Sequence, residues 1–315
     1  MHRLVQLVTR NWLNRKQKLS FYATQSLFIV SDNNPGGTFE NRTTCTAYLP
    51  HATTVLSYKN IREGELVLKS AANLLHRTAA HLSHEGKYRD SERLLEDAVE
   101  IRKEVLGDEH RQTLESMSNL VLPQWKLGTY EEAEKLAIPL VEILQRVFGE
   151  EKRPTLTAMN TLALIYHNRG NLEEARRLFE RVMQTQKRLY GYEHHDTLAT
   201  GNNLTTVYRY LKLVDEAQEL HLLVVAGRKK VLGRKHPMTL LSMNNLTSTY
   251  YDQKQLDKSE ENIQEIRKIQ EDLLGEKHPD TLRTAINLAK IWYESRRCQE
   301  AVELMEYCIE GRREA

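Results

Sequence analysis

The stretch LGRKHPMTLLSMNNLTSTYYDQKQLDKSE, residues 232–260, decides the fold because its landmarks recur along the chain every 42 residues. One landmark is a glycine that follows an apolar or aromatic residue, at positions 107, 149, 191, 233 and 275. A second is a Thr-Leu pair that begins at positions 113, 155, 197, 239 and 281. Two landmarks with the same fixed step predict an internal structural repeat.

Each repeat predicts two helices. Within residues 155–168 the apolar side chains are spaced i, i+3, i+4 and i+7, which places them on one face of a helix. Residues 169–171 interrupt this pattern and residues 172–183 resume it. Because a single pair cannot bury its apolar face alone, we expect the pairs to stack into an all-α α-solenoid. The predicted pairs are 71–84/88–105, 113–126/131–147, 155–168/173–189, 197–210/215–231, 239–252/257–273 and 281–294/299–312.

The composition excludes several classes of partner. Of the 315 residues, 40% are hydrophobic and 28% are charged, which is typical of helices that expose much of their surface to water. The 45 Lys and Arg nearly balance the 43 Asp and Glu, so no overall field favours nucleic acid. No run approaches 18 apolar residues, and we expect no membrane partner. Three cysteines without a CxxC pair favour a reduced, cytoplasmic protein.

Three segments, 106–120, 232–260 and 274–301, resemble tetratricopeptide repeats of the kinesin light chain type. The sequences GTYEEA from residue 128 and GNLEEA from residue 170 are similar to that family's inter-helix turn and its small packing residue. The resemblance implies a right-handed superhelix of about six helix pairs, which we place at residues 61–315. It also implies a concave groove, lined by the first helix of each pair, in which a partner peptide or protein binds.

The first 60 residues differ from the repeats in charge, with seven Lys and Arg against two Asp and Glu. Residues 1–15 are amphipathic, and an acid-poor amphipathic start is typical of a mitochondrial presequence. The apolar side of this predicted helix carries Leu4, Leu7, Val8 and Trp12.

A second interpretation of residues 1–60 comes from resemblance. The sequences MHRLVQ at the start, PGGTFEN at 35–41 and YLPHATTVL at 48–56 resemble the segment that precedes the repeats in fungal NB-ARC–tetratricopeptide proteins, which are NLR-like signal-transduction ATPases. Because the three motifs occur in the right order, we favour a helical remnant of that linker over a presequence. No GxxxxGK[ST] motif occurs in the chain, so the resemblance implies that the ATPase domain is missing.

No group of residues predicts catalysis, a metal site or a cofactor. His76, His81 and His84 are spaced by five and three residues, which does not place them on one helix face with a carboxylate. We therefore predict a protein that is not an enzyme. The links between repeats carry a recurring histidine that we expect to start a helix rather than bind a metal, at His110, His194, His236 and His278.

Asparagine recurs in the first helices although its amide competes with the helix backbone. One series falls at positions 160, 202 and 244, and a second falls one position later in the repeat, at 119, 203, 245 and 287. The amides either form a ladder between neighbouring repeats or point at a peptide in the groove. We favour the groove for the first series and leave both roles open for the second. The candidate groove residues are Asn160, Leu164, His167, Asn202, Asn203, Thr206, Arg209, Asn244, Asn245, Ser248, Tyr251, Asn287, Lys290 and Tyr293.

These features predict an interaction scaffold that binds a peptide or protein in the groove, with Arg209 and Lys290 selecting acidic side chains. The alternative is a sensor or regulatory part of an NB-ARC ATPase. The last predicted pair is not followed by a polar capping helix, so its apolar face also predicts self-association.

Overall fold

The computed structural model describes residues 3–35, 41–58 and 64–314, with side chains described from residue 8 in the first helix and up to residue 313 in the last. The side chains of Leu4 and Leu7 and most of the PGGTFEN motif lie outside this description. The described residues form helices and no strands. Their bounds are α1 Arg3–Arg15, α2 Leu19–Asn33, α3 Arg42–Leu56, α4 Glu65–His84, α5 Tyr88–Leu106, α6 Arg111–Leu127, α7 Tyr130–Phe148, α8 Arg153–Asn168, α9 Leu172–Tyr190, α10 His195–Tyr210, α11 Val214–Leu232, α12 Pro237–Asp252, α13 Leu256–Leu274, α14 Pro279–Glu294 and α15 Cys298–Glu314.

The predicted all-α fold and its helix pairs are confirmed. The observed bounds lie within about two residues of the predicted ones, except that α4 begins at Glu65, earlier than residue 71. Gly64 directly before it has a φ of 87°, which is outside helical geometry and sets that start. Within the described part of the chain, no helix combines the length and the apolar character needed to cross a membrane.

Residues 1–165 and 166–315 form two compact units. In the first unit, α2 and α3 pack on α4 and share a core with it. Leu27 and Val55 lie in this core with Leu74, Leu75 and Ala98. Burial of a leucine side chain stabilises a fold by about 1.5–3 kcal/mol, so the N-terminal helices contribute to the stability of the first repeat.

In the second unit each helix from α9 to α15 packs on the next along the chain. Val225 of α11 and Ile266 of α13 belong to one apolar cluster. Ile263 of the same α13, Leu288 of α14 and Cys308 of α15 belong to the following cluster. Because α13 contributes to both, the core continues from pair to pair, which is the packing of an α-solenoid.

The links between repeats explain the two landmarks. The glycine that follows each second helix has a φ between 86° and 95°, which favours glycine over residues with a Cβ. In all five links its carbonyl accepts a hydrogen bond of 2.8–2.9 Å from the hydroxyl of the threonine six residues later. The two landmarks are therefore the two ends of one hydrogen bond, and the leucine after the threonine enters the core.

The recurring histidines start helices, as expected. In each case the imidazole Nδ1 accepts the backbone N–H of the residue two positions later, at 3.1–3.3 Å, and satisfies a group that the helix leaves open. In the link before α8 this position holds Lys152, whose ammonium group cannot accept a hydrogen bond.

Candidate functional site

A groove lies between the first helices α6 and α8 of the first unit, with α7 as its floor. Its volume is about 620 Å³, which lies within the range of ligand-binding clefts. The lining is also polar in part, with Ser118 and Asn119 from α6 and Thr157 and Thr161 from α8. We call this cleft the α6–α8 groove. Its apolar lining consists of Leu114, Val121, Ala137, Leu140, Leu144, Phe148, Pro154 and Ala158.

One end of the α6–α8 groove is positively charged. Arg111, Lys152 and Arg153 line it, against a single carboxylate from Glu115. Arg111 and Lys152 have no ion-pair partner among the residues that the structure describes. Lys152 also stands where the other links carry the capping histidine, and the start of a helix has a partial positive charge of its own. This end of the groove therefore favours an anionic group.

Asn119 connects the groove to a buried polar cluster. Its Nδ2 lies 3.4 Å from Nε2 of His76, and Nδ1 of His76 lies 3.0 Å from Oγ of Ser116. Arg102 donates to the same hydroxyl at 2.7 Å. Burial, with the nearby Arg102, lowers the pKa of His76 to about 4, so this imidazole is neutral at physiological pH.

In the second unit the same cluster recurs with asparagine in place of histidine. Oδ1 of Asn202 accepts hydrogen bonds from Nδ2 of Asn245 at 3.1 Å and from Oγ of Ser242 at 3.2 Å. Arg228 donates to Ser242 at 2.5 Å. Asn202 is buried, and its amide therefore bonds across neighbouring repeats as the ladder alternative describes.

Three other predicted groove residues bond within their own helix. Nδ2 of Asn244 donates to the carbonyl of Leu240 at 3.2 Å. The hydroxyl groups of Thr206 and Ser248 donate to carbonyls four residues earlier, at 3.3 and 3.2 Å. Such bonds satisfy the polar side chain and leave its outer face available to solvent.

Two asparagines of the second series differ from Asn245. Asn203 is half-buried and Asn287 is exposed, and neither amide has a hydrogen-bond partner within the described part of the chain. Arg209 does have one, because its guanidinium donates to Oδ2 of Asp252 at 2.9 and 2.7 Å. The cation predicted to select acidic residues is thus already paired with a carboxylate on the next first helix.

Tyr251, Lys290 and Tyr293 come together around a depression of about 500 Å³ on α14 and α15. The α15 side of this depression is apolar, and Val302 and Ile309 are exposed there. This is the face from which the sequence predicts self-association.

The α8 candidates fall in both units. Asn160 and Leu164 are half-buried in the first unit. His167 belongs to the second unit, where its ring lies 5.1 Å from that of Tyr210, in an edge-to-face arrangement. Burial lowers the pKa of His167 below its ordinary value.

Among the residues that the structure describes, one group of side chains is close enough to share a metal ion. The ligand atoms of His194, His195 and Asp196 lie within 4.8 Å of one another. However, Nδ1 of His194 accepts the N–H of Asp196, and the group sits at the start of α10, where a cation is disfavoured. We assign His194 to helix capping rather than to metal binding.

The α6–α8 groove and the buried arginines Arg102 and Arg228 are not among the sites that the sequence predicts. Arg102 and Arg228 are three 42-residue steps apart, and each donates to a serine and to a carbonyl of the next first helix. Their equivalent spacing was the available signal. For the groove, the signal was Lys152 at a position that holds histidine in the other links.

Family profiles described as tetratricopeptide repeat match residues 155–196 and 197–237, and a second such profile matches residues 70–122 and 248–314. A nucleotide-binding leucine-rich repeat (NLR)-like protein of Hyaloscypha variabilis is 39% identical over 118 residues. The match covers 38% of this chain and 12% of that relative, so the chain spans a small part of the length of the protein it resembles.

Solved structures carry the same fold. The nearly identical TPR-like repeats of a kinesin-light-chain-like protein from Podospora anserina are 30% identical, with a TM-score of 0.58 over 67% of this chain and 97% of that one. A second match is a signal transduction ATPase (STAND) protein with a tetratricopeptide repeat sensor from Pyrococcus horikoshii. The aligned region covers 97% of this chain and 46% of that protein, with a TM-score of 0.62. At 16% identity this match shows a likeness of fold alone. On the repeats, their links and these matches, the chain belongs to the tetratricopeptide repeat family.

Proposed function

We propose that the protein is a non-enzymatic scaffold that binds a partner peptide or protein segment. The observation that carries the proposal is the α6–α8 groove, which combines an apolar floor with polar side chains from α6 and α8. Apolar lining removes peptide side chains from water, and a few placed polar groups fix their orientation.

The charge at one end of the groove narrows the class of peptide. Arg111 at the start of α6 and Lys152 just before α8 line the groove without a carboxylate partner within the described residues. A peptide with apolar side chains on the floor and one acidic group at this end satisfies both features. We also propose that the partner contacts Asn203, Asn287 and the α14–α15 depression in the second unit. Self-association through α15 is a further proposal.

A display selection with randomised 12-residue peptides tests the proposal. Selected peptides are then titrated by fluorescence anisotropy against the full chain and the variant Thr161→Trp, which fills the groove from α8. We expect the variant to weaken binding at least about tenfold, or about 1.4 kcal/mol. Lys152→Glu is expected to weaken the binding of peptides with an acidic residue more than the binding of neutral peptides.

Thr185→Trp is the matched control, because Thr185 lies on α9 and bonds to the carbonyl four residues earlier, as Thr161 does. It should leave affinity unchanged. Equal loss in both variants, or peptides that bind as well to Thr161→Trp, would place the binding surface elsewhere. A selection that enriches no peptide contradicts the function itself.

As a second candidate function, the chain serves as the sensor part of an NB-ARC signal-transduction ATPase. The NLR-like relative supports this candidate. In such a protein the repeats would hold the ATPase inactive until a ligand binds. The in-frame gene sequence upstream of Met1 decides this: a GxxxxGK[ST] motif after a predicted strand supports it, and its absence together with a transcript that starts at Met1 contradicts it.

A further inference from the structure

The helices α1 and α2 meet at a tight turn. The N–H of Gln17 donates to the carbonyl of Asn14, and the N–H of Lys18 donates to that of Leu13, while Gln17 has a φ of 53°. This arrangement closes the C-terminal end of α1 and starts α2 directly after it. Residues 12–22 are therefore neighbours in space.

Large apolar side chains around this turn face solvent. The exposed fractions are 61% for Val8, 55% for Trp12, 61% for Phe21 and 47% for Tyr22. The rings of Phe21 and Tyr22 lie 5.3 Å apart. Val8 and Trp12, four residues apart, share one face of α1, and Phe21 and Tyr22 are adjacent on α2. Exposed apolar side chains that form a group mark a contact surface.

The same turn is cationic. Arg15, Lys16 and Lys18 are exposed and have no carboxylate partner among the described residues. The sequence contains no Asp or Glu before Asp32. We call these three cations, together with Val8, Trp12, Phe21 and Tyr22, the N-terminal patch.

The patch is held by the rest of the first unit. The guanidinium of Arg10 lies 5.1 Å from the centre of the Tyr58 ring, just after the end of α3. On the other side, Ala23 and Leu27 of α2 are buried. The exposed side chains therefore sit on an anchored scaffold rather than on an isolated helix.

We infer that the N-terminal patch docks on the surface of an anionic lipid bilayer. Aromatic rings with aliphatic neighbours enter the boundary between headgroups and acyl chains, and the lysine and arginine stems extend their charges to the headgroups. An anionic surface attracts each nearby cation. Nucleic acid would satisfy the cations and stack on the rings, but it would leave Val8 without an apolar partner. The proposed docking is peripheral and does not depend on peptide binding. It differs from the expectation of no membrane partner that the sequence suggests.

Vesicle flotation of the full chain tests the inference. Vesicles of 70% phosphatidylcholine and 30% phosphatidylserine should carry the protein upward, and pure phosphatidylcholine vesicles should not. The double variant Trp12→Glu/Phe21→Glu should lose at least about tenfold in vesicle affinity. Leu66→Glu, an equally exposed apolar position in the same unit, is the control and should behave as the parent chain.

Charge is tested separately. Arg15→Gln/Lys18→Gln should weaken binding by about fivefold per removed cation. The control Lys87→Gln/Arg89→Gln, which removes two exposed cations from α5 and the turn before it, should change binding less than about twofold. Far-ultraviolet circular dichroism checks that each variant is folded.

Three results would overturn the inference. One is the absence of flotation with anionic vesicles, and another is flotation unaffected by Trp12→Glu/Phe21→Glu. The third is displacement from vesicles by poly(U) at an equal concentration of phosphate, which would assign the patch to nucleic acid.

Discussion

At the scale of the residue, close approach between helices is decided by single positions. A Cβ placed on Gly227 of α11 would lie 2.7 Å from Cδ2 of Leu198, which is itself fully buried. Gly311 of α15 is the equivalent position two repeats later, and its Cβ would lie 3.3 Å from the nearest atoms of Leu282. The same contact is therefore tighter in one repeat than in the other.

Gly227→Ala is expected to lower the free energy of unfolding by about 1–3 kcal/mol, because the buried side chain of Leu198 must shift to admit the added Cβ. Gly311→Ala should have a smaller effect, since a shift of a few tenths of an ångström relieves its contact and alanine favours the helix. Urea unfolding followed by circular dichroism compares the two. A larger loss in Gly311→Ala would contradict the geometry.

Residue-level roles could be predicted only in part. Asn202 and Asn203 are adjacent in the sequence, yet Asn202 is buried in a hydrogen-bonded cluster and Asn203 has no partner among the described residues. Neighbouring helix positions differ by about 100° in direction, and the periodic pattern does not identify which of two polar residues faces the next repeat. Arg209 and Asp252 are 43 residues apart in the sequence, and their ion pair could not be predicted for the same reason.

At the scale of the element, the start of each first helix depends on a side-chain acceptor. His236 accepts the N–H of Met238 at 3.1 Å, and Pro237 occupies the first turn, where its missing N–H costs no hydrogen bond. Asparagine also accepts a hydrogen bond at this position, whereas alanine cannot.

His236→Ala should therefore destabilise the chain by about 0.5–2 kcal/mol, and His236→Asn should recover most of that loss. Lys235→Ala is the control next to it, because Lys235 is exposed and has no partner within the described residues. Thermal unfolding measures all three. If asparagine were as harmful as alanine, the contribution of His236 would come from packing and not from capping.

The elements themselves were the most predictable feature. Helix bounds followed from apolar periodicity, glycine and the Thr-Leu pair, because these residues make the local bonds that start and end each helix. The groove was not predicted, since it arises from the spacing between α6 and α8 and not from either helix alone. The local hint was Lys152, which stands where the other links carry a capping histidine.

At the scale of the whole molecule, each unit buries a neutral histidine. His221 lies between the hydroxyl groups of Thr205 and Thr249, at 2.6 and 2.8 Å, in the second unit. Burial lowers its pKa to about 3, and the pKa of His76 in the first unit is about 4. Both values are below the 6.5 of an unfolded chain.

Stability should consequently fall as the pH falls. The unfolded chain binds protons at these two sites from about pH 6.5 downward, whereas the folded units do not. The free energy of unfolding is therefore highest, with respect to these histidines, above about pH 6.5. Below that pH it decreases by up to about 1.4 kcal/mol per pH unit for each histidine. Urea midpoints at pH 7, 6 and 5 measure it, and His221→Gln should reduce the slope. A flat profile would contradict the prediction.

The identical glycine–threonine bond in the five links has a consequence for the gene. Each link between repeats contains the same hydrogen bond from threonine to glycine. The in-frame loss or duplication of 42 codons, or 126 nucleotides, therefore keeps this bond in the links on both sides. Such a locus can gain or lose whole units through unequal recombination, and natural alleles should differ in unit number more readily than by insertions inside a unit.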